Sequence, residues 1–241
     1  MAERDSNLLS RTLIRSELFS GLDQPALLEL AGRLRRHDHP AQTLLFLEGQ
    51  PASIYYLIAQ GKVKITQTSP EGEEVILHVA EPGQVIGALP TLGEGGYPAS
   101  AETLEDCVTF SVEAEDFESI LLSHPQVMRR LLTFATRQLQ ISHRRLRELA
   151  TERVERRIAR TLTRLASQLG RKQGTSIEID APLSRQDLAE MSGTTLYTVS
   201  RTLKRWQSDG LVRSGRQKIV ILDPHGLVTI AEDLPENPKK E

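Results

Sequence analysis

The residues best suited to chemistry lie between positions 183 and 206, where two short helical patterns meet at a single glycine. Ser184 stands ahead of the first pattern as an N-cap, and Asp187 three positions on makes a near capping box. Leu188, Ala189, Val199, Leu203 and Trp206 would supply the apolar contacts that fix two short helices at a steep angle. Gly193 permits the tight turn between them, and Thr194 or Thr195 caps the second helix. Leu196, Tyr197, Ser200, Arg201 and Lys204 are left facing outward. Such a strip suits the major groove of double-stranded DNA, which is about 12 Å wide and admits an α-helix. A hairpin over residues 210 to 222, with its turn near Ser214-Gly215, brings Arg213, Arg216 and Lys218 alongside. Helix-turn-helix followed by hairpin is a winged helix.

Catalysis has no comparable setting. No glycine-rich phosphate loop follows a strand, no nucleophile elbow occurs, and no His-Glu-x-x-His helix is present, so no catalytic residue is assigned. The single cysteine, Cys107, excludes an intramolecular disulfide and a four-cysteine cluster held by one chain. The six histidines have no diagnostic spacing, and His37 and His39 flank Asp38 in what reads as a polar loop before Pro40. Net charge is −2, but residues 151 to 241 carry 16 Lys and Arg against 12 Asp and Glu, and the remainder 14 against 20. The basic excess falls on the part that holds the winged helix, as phosphate binding requires. A module acting through protein contacts alone would not need Arg201 outward on a capped second helix.

At 241 residues, 39% hydrophobic and 26% charged, the chain can bury two modest cores. No run of about 18 apolar residues occurs and the first ten residues are polar, so neither a membrane span nor a secretory segment is expected and the protein reads as cytoplasmic. From 40 to 112, short β-rich runs alternate with turn signals at Gly49, Gly61, Gly72, Pro82-Gly83 and 93 to 96, the pattern of an all-β barrel or sandwich. Strands are predicted over 54–58, 63–66, 75–79 and 107–112, and a short helix over 25–34 behind an Asp23 cap. Residues 126 to 151 contain no Gly or Pro, and repeat Met128, Leu132, Ala135, Leu139, Ser142, Leu146 and Leu149 at alternating spacings of four and three. That is a heptad seam suited to dimerisation. Leu131, Phe134 and Ile141 form a second apolar face that could pack on the same chain's barrel. A further amphipathic helix spans 154 to 169, with Gly170 as C-cap candidate and a polar loop over 171–174, and 176 to 179 reads as a strand.

The fold class is therefore α+β, and the domain expectation is 1–124 for a sensory β-barrel with an N-terminal helix, 125–151 for a dimerisation helix, 152–232 for a winged-helix DNA-binding domain, and 233–241 for a disordered tail. In the order of Gly49, Gly61 and Pro82-Gly83 turns, long helix and winged helix, the chain resembles the CRP/FNR superfamily over nearly its whole length. The resemblance implies a cyclic-nucleotide-binding-like jelly roll and a homodimer that reads a pseudo-palindromic operator and contacts RNA polymerase. Within the family, Glu152-Arg153-Val154-Glu155-Arg156-Arg157 and Ser192-Gly193-Thr194-Thr195-Leu196-Tyr197-Thr198-Val199-Ser200-Arg201 look most like the nitric-oxide-responsive denitrification regulators of the NnrR and DNR kind. Arg201 matches the family's base-reading arginine, suited to guanine O6 and N7. Ser200, Tyr197 and Leu196 are expected beside it at base edges, and Arg185, Thr195 and Thr198 at phosphates. Lys204, Arg216 and Lys218 join the phosphate set on charge. The family's usual glutamate in this helix is replaced by Tyr197, which implies a different operator.

Relatives that bind cyclic nucleotides carry a glutamate after the barrel glycine and a downstream arginine for the phosphate. Here the corresponding stretches are Gly87-Ala88-Leu89 and Pro98-Ala99-Ser100, with Ser142 and His143 on the long helix completing the expected effector pocket. Both charged ligands are missing, so cAMP is not expected to bind in the usual mode. The cofactor is open. Haem is what the nitric-oxide subgroup implies, with His78 and His143 as ligand candidates. A regulator that works without a small-molecule effector is the alternative.

Overall fold

The β-rich first half forms two four-stranded antiparallel sheets in the computed structural model, which describes residues 3–69, 72, 74–88, 95–215 and 217–234. Two helices, α1 (Glu3–Arg15) and α2 (Gln24–Arg33), precede the strands β1 (Arg35–His39), β2 (Leu44–Phe46), β3 (Ile54–Gln60), β4 (Val63–Thr68), β5 (Glu74–Ala80), β6 (Val85–Ile86), β7 (Ser100–Thr103) and β8 (Cys107–Glu113). The sheets have the orders β1-β8-β3-β6 and β2-β7-β4-β5. Both contribute to one core through Phe46, Ile58, Val63, Ala101 and Cys107. The other face of the first sheet is covered by helices, including α3 (Ala114–Ser123), where Tyr55 and Phe110 meet Leu13, Leu30 and Phe117. Covered on both faces, β8 is buried from Cys107 to Val112. Each fully buried large apolar side chain there contributes roughly 1.5–3 kcal/mol.

The four strands predicted in this half are present, as is the helix after Asp23, whose Oδ1 accepts from the Ala26 N–H at 3.1 Å. The polar loop expected at His37 and His39 is instead the strand β1, paired with β8. Its side chains find polar partners rather than a core: His37 Nε2 bonds Ser111 Oγ at 2.8 Å and His39 Nε2 bonds Thr109 Oγ1 at 2.9 Å. A run of charged and imidazole residues carries no apolar alternation, so hydropathy patterning does not reveal it. Helix α1 was likewise hidden by its polar start, although Leu9 and Leu13 are buried.

The chain divides into two compact units, Met1–Ile141 and Ser142–Glu241, and the 27-residue helix α4 (Pro125–Thr151) continues from one into the other. Its length is about 40 Å. In the first unit, Val127 and Leu131 are buried and Phe134 packs beside them. Met128, expected in the dimer seam, also packs against this core. Leu132, Leu139 and Leu146 are exposed at 50, 56 and 66%.

The second unit continues with α5 (Val154–Leu169), β9 (Gly170–Gln173), β10 (Ser176–Ile179), α6 (Arg185–Ser192), α7 (Leu196–Ser208), β11 (Val212–Gly215), β12 (Lys218–Ile221) and α8 (Pro224–Glu232). Ile158, Leu162, Leu188, Val199, Leu203 and Trp206 form its buried interior. Of the loop expected at 171–174, only Gly174 lies in a turn; residues 171–173 belong to β9, which pairs with β10 in a sheet of order β11-β12-β10-β9. Gly170 ends α5 in an extended conformation, so it begins a strand rather than a left-handed cap. Ser214 and Gly215, near which the hairpin turn was expected, are the end of β11 and pair with Ile219 and Lys218 of β12. The tail at 235–241 lies outside the described residues.

Gly61 and Gly72 both hold left-handed backbone, φ +82° and +87°, but a Cβ on Gly61 would fall 2.6 Å from the Asp106 carbonyl while one on Gly72 would meet nothing within 4 Å. Gly72→Ala is expected to cost about 1–2 kcal/mol for backbone strain alone, and Gly61→Ala a further 1–3 kcal/mol or so for overpacking. Urea unfolding followed by circular dichroism compares them; equal losses would contradict this close approach at Gly61.

Candidate nucleic-acid interface

Helix α6 is started by a complete capping box. Ser184 Oγ accepts from the Asp187 N–H at 3.1 Å, and Asp187 Oδ2 accepts from the Ser184 N–H at 2.6 Å. It ends at Gly193, whose φ of +61° and ψ of +49° place it in the left-handed region. Helix α7 restarts two residues later with Thr195 as N-cap, its Oγ1 accepting from the Thr198 N–H at 3.2 Å. Two capped helices joined by one left-handed glycine constitute the helix-turn-helix.

This turn is held from outside as well. The Arg157 guanidinium on α5 donates to the Ser192 carbonyl at 3.0 Å and the Gly193 carbonyl at 2.8 Å, satisfying acceptors at the end of α6. It also donates to the Glu152 carbonyl at 3.0 Å, just past α4. Leu149, an expected seam residue, sits so close that a Cβ on Gly193 would lie 2.4 Å from its Cδ2. Glu155 at the start of α5 accepts from the buried Trp206 indole N–H at 3.0 Å and pairs with Arg205, tying α5 to α7. Arg157 and Glu155 were not picked out as functional from sequence, because nothing in their local pattern says which distant carbonyl or indole they reach.

With Val199, Leu203 and Trp206 turned inward, α7 presents Leu196 and Tyr197, 47 and 74% exposed, together with Arg201 and Lys204. Ser200 is half-buried on the same helix. Arg201 lies over the Tyr197 ring, 5.9 Å from guanidinium carbon to centroid, a cation–π contact that narrows its range of positions. Thr195 and Thr198 bond each other through their hydroxyls at 3.0 Å. Arg185 at the head of α6 donates to Ser214 Oγ on β11 at 3.1 Å, so that basic group stands beside the hairpin. Lys218 pairs with Glu178 Oε1 at 2.7 Å, and that hydrogen-bonded ammonium holds the Glu178 carboxyl below its usual range. Lys218, expected at phosphate, is itself exposed beside this carboxylate. Arg216 lies outside the described residues.

In the first unit, Gly87 has φ +83° and little room: a Cβ there would lie 3.2 Å from both the Ile54 carbonyl and the Tyr97 ring. Tyr97 stacks on Phe46 at a centroid distance of 4.0 Å. Its hydroxyl donates to the Ile54 carbonyl at 2.7 Å and accepts from the Ile54 N–H at 3.1 Å. Burial pushes the Tyr97 phenol up from its ordinary range. Ala88 and Ala99 are buried, and Ser100 Oγ accepts from the Glu48 N–H at 3.0 Å. Pro98 is exposed; its carbonyl accepts from Gln67 at 2.8 Å. Leu89 lies outside the described residues. In the second unit, Ser142 and His143 are exposed on α4. His78 is half-buried on β5 opposite Ile65. Among the described residues, no group of three or more His, Cys, Asp or Glu side chains could hold a metal ion, and no helix is long and apolar enough to cross a membrane.

A Crp-like helix-turn-helix domain matches residues 156–230, and a cyclic nucleotide-binding domain matches residues 36–124. The chain is 30% identical over 217 residues to the cyclic AMP receptor protein of Thermus thermophilus, covering 90% of this chain and 97% of that one. The chain belongs to the CRP/FNR family of transcription regulators. It is also 27% identical over 219 residues to a CRP-like cAMP-activated global transcriptional regulator of Mycobacterium tuberculosis, covering 91% of this chain and 98% of the relative. Its fold is similar to that of FixK2 from Bradyrhizobium japonicum, with a TM-score of 0.71 at 23% identity over 82% of this chain and 96% of that one. These relatives and domains are those of DNA-binding regulators, not enzymes.

The regulator's sole tryptophan, Trp206, reports on its own support. Glu155→Ala would leave the buried indole N–H without its acceptor and is expected to cost about 1–3 kcal/mol, whereas Glu155→Gln keeps an acceptor and should cost less. Urea unfolding read by tryptophan fluorescence compares them; an Ala variant as stable as the wild type would show that this bond does not hold α7.

Proposed function

We propose that this CRP/FNR regulator acts as a homodimer, joined along α4, that sets two copies of α7 into successive major grooves of a pseudo-palindromic operator. Half-sites would then be about one helical turn, roughly 34 Å, apart. The observation that carries the reading is the exposed Arg201 on the face of α7 opposite Val199, Leu203 and Trp206. A guanidinium there can reach guanine O6 and N7, and Lys204 one turn on can reach phosphate. The exposed Leu132, Leu139 and Leu146 support a second copy as partner, since leucines at heptad spacing gain most by packing against the same stripe. Family membership supports RNA polymerase as a further partner.

The first unit is the sensory half, and its effector acts by binding one arrangement of the reading heads more tightly than the other. Cyclic AMP, named in the relatives of T. thermophilus and M. tuberculosis, does not suit it in the family's usual mode. Gly87-Ala88 and Pro98-Ala99-Ser100 bring no cation to a phosphate, and Phe46 and Tyr97 fill the interior behind Gly87. Burying a phosphate without a cationic partner is unfavourable. Nor do the described residues frame a haem: His78 already has an interaction partner, His143 is exposed on α4, and the Gly87 end is packed with aromatic rings.

On a duplex selected by the full-length protein, Arg201→Ala is expected to cost about 1–3 kcal/mol, with little loss on scrambled DNA. Lys204→Ala should weaken both duplexes alike and make the salt dependence shallower by about one unit per protomer. Competition binding at two salt concentrations decides it, and equal loss on both DNAs for Arg201→Ala would overturn the base-reading role. Leu139→Glu combined with Leu146→Glu should give a monomer in sedimentation at micromolar concentration and abolish specific retardation. A double variant that remains dimeric places the interface elsewhere.

A further inference from the structure

The first turn of α7 carries two apolar side chains that the fold does not bury. Leu196 and Tyr197 are exposed, while the helix meets its own core through Val199, Thr202, Leu203 and Trp206. Their position is held firmly, because Thr195 caps the helix end through the Thr198 N–H and the two threonine hydroxyls bond each other. Tyr197 lies one turn before Arg201, whose guanidinium carbon stands over its ring 5.9 Å from the centroid. Leu196 lies one turn before the half-buried Ser200, at the edge of the face that carries Arg201.

On the major-groove edge of DNA, guanine, cytosine and adenine present donors and acceptors, and thymine alone adds an apolar group, its C5 methyl. Leucine has neither donor nor acceptor to offer. Set against a polar edge, it would strip water from groups it cannot repay with a hydrogen bond. Set against a methyl, both partners lose only unfavourable contact with water. The rise from Leu196 to Arg201 is about 7.5 Å, or about two steps of 3.4 Å along a DNA strand.

We infer that Leu196, with the Tyr197 ring beside it, selects thymine through its 5-methyl group within about two base pairs of the guanine contacted by Arg201. The inference rests on the operator reading above and names the base that reading leaves open. Tyr197 has a further role on this geometry, as the platform that holds Arg201 over its guanine.

The test uses the full-length protein and a duplex enriched by it from a random library. Thymines flanking the guanine whose replacement removes the Arg201 effect are replaced one at a time by uracil, which deletes only the methyl. One thymine per half-site should be sensitive, with wild-type affinity falling about fourfold for each methyl lost, the worth of one buried carbon. Leu196→Ala should bind the thymine duplex as weakly as the wild type binds the uracil duplex, and should itself be indifferent to the replacement. Trp206 fluorescence confirms that the variant is folded. Equal wild-type affinity for thymine and uracil duplexes, with preference over scrambled DNA retained, would overturn the methyl contact and leave the helix's operator reading standing. Absence of any enriched duplex would sink both.

Discussion

The turn at Gly193 passes through the left-handed region, with Leu149 lying against it and Arg157 spanning the carbonyls of Ser192 and Gly193. The angle between α6 and α7 follows from that turn. So does the face of α7 that can be exposed: with Val199, Leu203 and Trp206 committed to the interior, Arg201, Tyr197 and Leu196 have only the outside left to them. The face that α7 exposes therefore depends on a backbone conformation that glycine adopts without steric cost, reinforced by a guanidinium that satisfies three carbonyls.

Arg157 connects that turn to the segment just after α4, because its third acceptor is the Glu152 carbonyl. Movement of the α4 end would have to break or carry along the same guanidinium that closes α6. Glu155, two residues earlier, makes the corresponding tie to α7 through Trp206 and Arg205. The start of α5 is thus bonded to both helices of the reading head. A shift there would move the head as a body rather than bend it internally.

In the first unit, aromatic rings occupy the interior behind Gly87. The Phe46 and Tyr97 stack, with both hydrogen-bonding roles of the Tyr97 hydroxyl met by the Ile54 backbone, leaves no polar demand there for a ligand to answer. The strand order rests on turns and backbone pairing, not on which side chains stand behind Gly87. Fold and ligand chemistry are separable on this scaffold.

The helix-turn-helix was legible because its signals are local. Ser184 with Asp187, the glycine at 193, Thr195, and apolar residues at helical spacing each act within a turn or two of chain, so residue order alone determined α6, α7 and the outward position of Arg201. The alternating strands from Ile54 to Val112 and the long helix α4 were legible for the same reason. What tertiary structure decided is where long-range partners lie. The strand β1 exists because β8 offers Ser111 and Thr109 to its histidines, β9 because β10 lies beside it, and Met128 packs inward because the first unit's core reaches it. Lys218 pairs with Glu178, forty residues back in the chain, and Arg157 finds its carbonyls at Ser192 and Gly193. Hydropathy and spacing describe a residue's own neighbourhood, whereas a hydrogen bond or ion pair between distant segments exists only once the fold has brought its two ends within about 3 Å.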